Sequence, residues 1–179
     1  MVSAADLMRT LWADSCDHMR MLVAGLDDGE FFWEPCADCW TVRPDPAAPG
    51  GWIMDYPFPP PDPPPVTTIA WRLLHIAHGN WIYWEHAFGP GRRTFVDLET
   101  HHTAAGAVTD LVASQEPVTA ALREIDDEGL DRPCRRLEGD PWPARRILAT
   151  LLNEQVHHGA EISLLRDLYR NGATLTPPP

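Results

Sequence analysis

The sequence lacks several features that would assign it to a common class of protein. It contains no run of about 18 apolar residues, so we expect no membrane span. Its first residues show no basic segment followed by an apolar block, so we expect no secretory signal and a cytoplasmic location. Basic residues are few, with 14 Lys and Arg against 26 Asp and Glu and a formal net charge of −12. Because nucleic-acid binding depends on cations that neutralise phosphates, we exclude nucleic acid as a main partner.

Cysteine is also scarce, and the four cysteines are Cys16, Cys36, Cys39 and Cys134. Cys36 and Cys39 form an isolated CxxC, without a second CxxC or a histidine pair at the spacing of a structural zinc site. A disulfide framework is not expected in a cytoplasmic chain of 179 residues. We interpret the CxxC as a pair of reduced loop cysteines.

Apolar residues recur at helical spacing and predict an all-α fold, an up-down four-helix bundle in a single domain over residues 1–179. The four predicted helices span about 4–25, 67–88, 103–125 and 143–172. A kink or break is expected at Pro117. A long proline-rich loop at about 44–65 joins the first two helices, and its prolines predict an extended segment with no strand. The tail at about 173–179 is predicted to be loose.

The last predicted helix turns ionisable residues towards the core. Laid on a seven-residue repeat, Glu154, His158 and Glu161 share the inward positions with leucines. Burial of an isolated charge is costly unless the charge is paired or binds a metal, and carboxylate and imidazole are both ligands for zinc, nickel or iron. The stripe therefore predicts one half of a metal site, and the other half must come from a facing helix.

The second predicted helix offers the remaining ligand. His75 and His78 lie three residues apart on one face, and either histidine could complete a site with Glu154 and His158. Three protein ligands would leave a coordination position for water or substrate, as in catalytic sites. The alternative is a site without metal, in which the histidines are hydrogen-bonded core residues and Glu154 pairs with His158.

Four segments, taken in their order along the chain, carry a family resemblance. They are WEPCADCWTVRP from residue 33, TIAWRLLHIAHGNW from residue 68, HHTAAGAVTDLVASQEPVTAALREI from residue 101 and NEQVHHGAEISLLRDLY from residue 153. Together they resemble the DinB-like superfamily of metal-dependent helical bundles, which includes bacterial thiol-dependent S-transferases. The resemblance covers nearly the whole chain and implies that family's four-helix bundle.

The resemblance also implies a set of metal ligands. The family typically holds its metal with three histidines, of which the first falls on His75 and the last on His158. The middle ligand falls on Glu154, which keeps a ligand but changes its charge. We expect a divalent metal ion, zinc first, with nickel or iron as alternatives. Glu161 falls close to the metal, and we assign it as the candidate catalytic residue.

The function that the resemblance implies is transfer of a low-molecular-weight thiol, of the mycothiol or bacillithiol type, to or from an electrophilic small molecule. Trp52 and Tyr56 of the proline-rich loop, together with His78, are the candidate substrate contacts. Family members are often dimers, so a homodimer is one expected assembly. The alternative function is a non-catalytic bundle that binds a metal or a small molecule, as a resistance or sensor protein does.

Overall fold

The computed structural model describes residues 2–57 and 59–173, so Phe58 and residues 174–179 of the predicted tail lie outside the described residues. The described residues form five α-helices: α1 (Ala4–Val23), α2 (Asp28–Phe31), α3 (Ile69–Ala87), α4 (Ala104–Glu124) and α5 (Ala144–Arg170). The all-α prediction is confirmed, and the four long helices correspond to the four predicted ones. Across these two ranges, no helix has both the length and the hydropathy that a bilayer crossing requires.

Local chemistry explains where the long helices begin. Ser3, Thr68 and Thr103 each precede a helix, and each side-chain oxygen accepts a hydrogen bond from the backbone N–H three residues later. α1 is followed by Gly25 at φ 67°, a left-handed conformation that glycine adopts without a steric penalty. Of the kink or break expected at Pro117, a break is absent, because α4 continues past this residue. Buried Val118 beyond the proline packs in the core and helps to offset the lost hydrogen bond.

Two short hairpins correct the expectation that no strand forms. β1 (Val42–Pro44) pairs antiparallel with β2 (Trp52–Met54), and β3 (Pro133–Cys134) pairs antiparallel with β4 (Trp142–Pro143). The first hairpin overlaps the predicted proline-rich loop, so part of that segment is paired β-strand and not an unpaired loop. Strands of two or three residues are too short to show the alternation by which a strand is recognised in sequence.

Packing between the long helices positions the site. α1 and α3 each pack against both α4 and α5. Two clusters of buried apolar side chains lie among these helices. Their members include Met19, Phe31, Leu73, Leu111 and Ile162 in one cluster, and Trp12, Val118, Leu122, Ile147 and Leu151 in the other. The contact between α3 and α5 brings together the two helices that carry the candidate metal ligands.

The ionisable stripe of α5 lies at the edge of its buried face. The most buried positions of this face include Gln155 and Ile162, whose exposed fractions are 1% and 0%. Glu154 and Glu161 are only half-buried, whereas His158 between them is buried. The two carboxylates therefore stand beside the core, where α5 meets α3, and are not enclosed in apolar surroundings.

Candidate metal centre

Three of the predicted ligands converge on one point between α3 and α5. The Nε2 atoms of His75 and His158 each lie 3.1 Å from Oε2 of Glu154. The ligand atoms of these three residues all lie within 4.8 Å of one another. His78 is not part of this group, so the structure brings together the set that contains His75.

The chemistry of this donor set fits a divalent cation. Two neutral imidazoles and one carboxylate have a net charge of −1 and direct lone pairs at a common point. Ligand atoms about 2.0–2.1 Å from a tetrahedral zinc ion lie roughly 3.3 Å apart, and the observed separations from Glu154 are 3.1 Å. The mixture of nitrogen and oxygen donors suits zinc, nickel or iron. With three protein ligands, the fourth tetrahedral position would be free for water or substrate.

A second carboxylate fixes the orientation of His158. Nδ1 of His158 lies 2.5 Å from Oε2 of Glu161, and Nη1 of Arg72 lies 2.8 Å from that same oxygen. From this hydrogen-bond network we assign the proton to Nδ1, which donates to Glu161. Nε2 faces Oε2 of Glu154 at 3.1 Å, and a bound cation would displace the proton of that hydrogen bond and take the Nε2 lone pair. A carboxylate on the far nitrogen is the usual means by which proteins orient a metal-binding histidine.

The other group of close ligand atoms, His157, His158 and Glu161, is a poor cation site. The guanidinium of Arg72 lies 2.8 Å from Glu161 and 2.9 Å from Nδ1 of His158, so a positive charge is already present there. His157 is also exposed. We therefore assign the candidate cation site to the other side of the His158 ring, where Glu154 and His75 lie.

Electrostatics keep the acidic ligand ionised. Hydrogen bonds from His158 and then His75 lower the pKa of Glu154 far below its usual value, against the opposing effect of burial. Glu154 is therefore a carboxylate at neutral pH, as a metal ligand must be. Burial lowers the pKa of Arg72, and the charges of Glu161 and Glu154 act in the opposite direction. Arginine nonetheless stays protonated in proteins, so Arg72 neutralises Glu161.

Aromatic stacking holds the His75 ring. Trp71 stacks on His75 with ring centroids 4.7 Å apart and planes 11° from parallel. The other ring in the stack is Tyr56, whose centroid lies 6.0 Å from that of Trp71. Trp71 is itself anchored, because its Nε1–H donates to the backbone oxygen of Asp55 at 2.6 Å. These contacts leave the His75 ring perpendicular to His158, at an interplanar angle of 88°.

The candidate metal centre borders a cavity of about 610 Å³. His75 and Glu154 lie on its wall. Apolar side chains form much of the remaining lining: Ile53, Met54, Ile76, Tyr83, Phe95, Val96 and Leu151. A cavity of this volume and polarity accommodates a small organic molecule and gives it access to the candidate metal ligands.

The structure separates the other predicted site residues. Tyr56 and His78 lie on the cavity wall, and Nε2 of His78 lies 3.2 Å from the backbone oxygen of Glu99. Burial lowers the pKa of His78, so its ring is neutral at pH 7. Trp52 is not among the lining residues, since its ring stacks on His102 at 4.7 Å. Glu161 contacts the far side of His158 and does not line the cavity.

Sequence reasoning missed the structural roles of Trp71 and Arg72. They precede His75 by four and three residues, so helical spacing places all three on one face of α3. That spacing was a usable signal for the stacking of Trp71 on His75. The pairing of Arg72 with Glu161 of α5 had no such signal, because it depends on how the two helices pack.

The CxxC stands apart from this centre. The Sγ atoms of Cys36 and Cys39 lie 3.5 Å apart as free thiols. Burial raises the pKa of Cys39 to about 11, so its thiolate form is scarce at neutral pH. Within the described part of the chain, neither cysteine belongs to a group of residues that could hold a metal ion.

Comparison with known proteins identifies the family. The sequence model of the DinB superfamily matches residues 11–162, a range that includes His75, Glu154, His158 and Glu161. Searches of the curated proteins and of the solved structures give no match. Because the family match spans most of the chain and the candidate centre lies inside it, we conclude that this protein belongs to the DinB superfamily.

Proposed function

We propose that the protein is a metal-dependent enzyme that transfers a low-molecular-weight thiol to or from an electrophilic small molecule. The observation that carries this proposal is the convergence of His75, Glu154 and His158 beside a cavity of about 610 Å³, with His75 and Glu154 on its wall. A structural metal site is closed by four protein ligands, whereas this group has three and faces open space. We further propose that residues 1–179 form one domain of the up-down four-helix bundle type.

His75, Glu154 and His158 would hold the ion, with zinc as the first choice and nickel or iron as alternatives. When bound, such an ion supplies Lewis acidity that lowers the pKa of a thiol or water in contact with it. The aromatic stack on His75 and the carboxylate on His158 keep both imidazoles in position. Preorganised ligands reduce the reorganisation that binding and reaction would otherwise require.

We propose that Glu161 is a positioning residue. Its Oε2 accepts from His158 and Arg72, and its Oε1 lies 3.3 Å from Nε2 of His157. Both oxygens are thus engaged on the side of His158 that faces away from Glu154. In this position Glu161 keeps the proton on Nδ1 of His158 and leaves Nε2 free as a ligand.

We propose that Tyr56 and His78 contact the substrate, since both lie on the cavity wall. An N–H at Nε2 of His78 that donates to the Glu99 oxygen leaves Nδ1 as a hydrogen-bond acceptor. The apolar lining favours an organic electrophile and excludes water from its surroundings. Trp52 lies outside this lining, and its role would be to support the hairpin of β1 and β2.

A thiol-transfer assay tests the proposal. Protein stripped of metal and protein reloaded with zinc, nickel or iron are each incubated with a low-molecular-weight thiol and a chlorinated arene, and loss of free thiol is followed. Metal-dependent thiol consumption is the expected result. Stoichiometric metal binding without thiol consumption would favour the non-catalytic binding protein. The absence of metal binding would reject the enzyme and leave only a bundle that binds a small molecule.

A further inference from the structure

A groove leads away from the candidate metal centre between α3 and α5. His75 and Tyr83 lie two turns apart on α3, and Glu154 and Arg146 lie two turns apart on α5. Eight residues of α-helix span about 12 Å. Tyr83 and Phe95 border both the cavity of about 610 Å³ and a smaller one of about 230 Å³. The two cavities therefore adjoin, and the smaller one lies about 12 Å along α3 from His75.

The far end of this groove carries two arginines on one indole ring. The guanidinium carbons of Arg136 and Arg146 lie 3.6 Å and 3.7 Å from the ring centroid of Trp142. Two groups this close to one centroid would overlap on a single face, so we infer that they lie on opposite faces. Tyr83 stacks beside Trp142, with centroids 6.4 Å apart. Arg136 lines the smaller cavity, so its guanidinium is open to that cavity, while Arg146 adds positive charge from the other face of the indole.

These two cations have no ion-pair partner in the part of the chain that the structure describes. Neither guanidinium has a carboxylate oxygen within 4.0 Å, whereas neighbouring Arg145 pairs with Asp131. Glu138 lines the smaller cavity as well, but it lies beyond that distance from Arg136. In a chain with a formal net charge of −12, two unneutralised arginines beside a cavity create a local positive potential.

The lining between the two ends is apolar. Phe95 and Val96 border the larger cavity, and their exposed fractions are 52% and 92%. Such exposure of large apolar side chains next to a cavity favours contact with an apolar ligand. The groove thus has the candidate metal ligands at one end, apolar side chains along its length, and two guanidinium groups at the other end.

We propose that Arg136, supported by the positive charge of Arg146 on the other face of Trp142, binds the carboxylate of an elongated small-molecule ligand whose reacting end lies at His75, Glu154 and His158. The inference rests on the proposed function for the reacting end and adds the class of ligand. That ligand has an apolar centre and an anionic group about 12 Å from its reacting atom. Guanidinium groups suit this task because they donate paired hydrogen bonds to a carboxylate.

A series of ω-mercaptoalkanoates of increasing chain length tests the proposal, with the matching ω-mercaptoalkanols as uncharged counterparts. Affinities are measured by titration calorimetry on the zinc-loaded full chain. We expect long alkanoates to bind about tenfold more tightly than the alkanols. The shortest alkanoates should show no such advantage, because they cannot reach from the metal centre to the arginines.

The Arg136→Gln, Arg146→Gln double variant should lose that tenfold preference while its affinity for the alkanols stays the same. The matched control is the Arg135→Gln, Arg145→Gln double variant, which removes the adjacent charges. Arg135 lies against Gly91 and Arg145 pairs with Asp131, so this control should keep the preference. An equal loss in the control, or equal affinities for acid and alcohol in the unmodified protein, would overturn the proposal.

Two further measurements separate a failure of the proposed carboxylate site from unfolding of the variant and from failure of the metal chemistry. Should the glutamine variant unfold, the double Arg→Lys variant retains both charges and should retain a preference for the acid. Binding of ω-phenylalkanoates, which lack a thiol, is measured on His158→Ala as well. If ω-phenylalkanoates still bind to metal-free His158→Ala in an arginine-dependent manner, the carboxylate site exists independently of the proposed metal chemistry.

The same series identifies which reactant carries the carboxylate. Competition between ω-phenylalkanoates and the thiol co-substrate for the arginine-dependent site would assign the anionic group to the thiol. Independent binding of the two would assign it to the electrophile. If neither the ω-mercaptoalkanoates nor the ω-phenylalkanoates bind in an arginine-dependent manner, the inference is refuted.

Discussion

Replacement of His158 by alanine removes one of the three candidate ligand atoms and leaves His75 and Glu154 in place. It also removes the imidazole that separates Glu154 from Glu161, whose carboxylates lie 3.1 Å and 2.5 Å from its two nitrogens. Two protein ligands bind a divalent ion much more weakly than three, so we expect His158→Ala to contain no stoichiometric metal.

The size of the effect on stability follows from ligand linkage. At a metal concentration 100 times its Kd, binding stabilises the folded state by about 2.7 kcal/mol. For a chain of 179 residues, each kcal/mol shifts Tm by about 2–4 °C. Addition of a chelator should therefore lower the Tm of the unmodified protein by about 5–10 °C and leave the Tm of His158→Ala unchanged.

The assay combines elemental mass spectrometry of untagged protein with thermal unfolding in the presence and absence of chelator. His157→Ala is the matched control, since it removes the adjacent, exposed histidine of the same helix. The control should retain about one equivalent of metal. Retention of metal by His158→Ala, or an equal loss in His157→Ala, would refute the ligand assignment.

Three other predictions follow from the same structure. Glu161→Gln keeps the shape of the side chain but weakens the hold on Nδ1 of His158, so metal affinity should fall about 10- to 100-fold in competition with a chromophoric chelator; an unchanged affinity would contradict the positioning role. Cys36→Ser with Cys39→Ser should retain full metal content by elemental analysis, and loss of metal would bring the CxxC into the site. Glu85 is buried, and hydrogen bonds from backbone N–H groups in the turn after α3 lower its pKa. A carboxyl group whose pKa is lower in the folded state stabilises the protein at pH values above the ordinary glutamate pKa. This stabilisation is lost as the pH falls through the folded-state pKa. Urea unfolding from pH 7 to pH 3 should therefore show a smaller acid-induced loss of stability in Glu85→Gln, and parallel curves would show that Glu85 does not contribute.

Much of the helical framework was predictable because helix ends depend on neighbouring residues. Thr68 and Thr103 cap the helices that the apolar spacing predicted. The buried face of α1 was less predictable. Leu7 and Leu11 recur at helical spacing in the sequence with Met19 and Leu22, yet Leu7 and Leu11 are 54% and 42% exposed, while Trp12 is buried. Spacing defines a stripe, but contact with α4 and α5 decides which side of α1 is covered.

The candidate metal centre was also predictable only in part. Glu154 and His158 share one face of α5 because they are four residues apart, and that could be read from the chain alone. The choice between His75 and His78 could not be made from spacing, because both lie on one face of α3. In the structure only His75 lies beside Glu154, whereas His78 meets the backbone of Glu99.

Sequence alone determined the helices, their caps and the ligands that stand four residues apart, since these depend on the fixed rise and turn of an α-helix. Tertiary structure decided the contacts between helices. It placed Glu161 and Arg72 behind His158, moved Trp52 away from the cavity, and brought Arg136 and Arg146 together on Trp142. Such contacts depend on how each helix is rotated and seated against its neighbours, and this is set by the packing of whole faces.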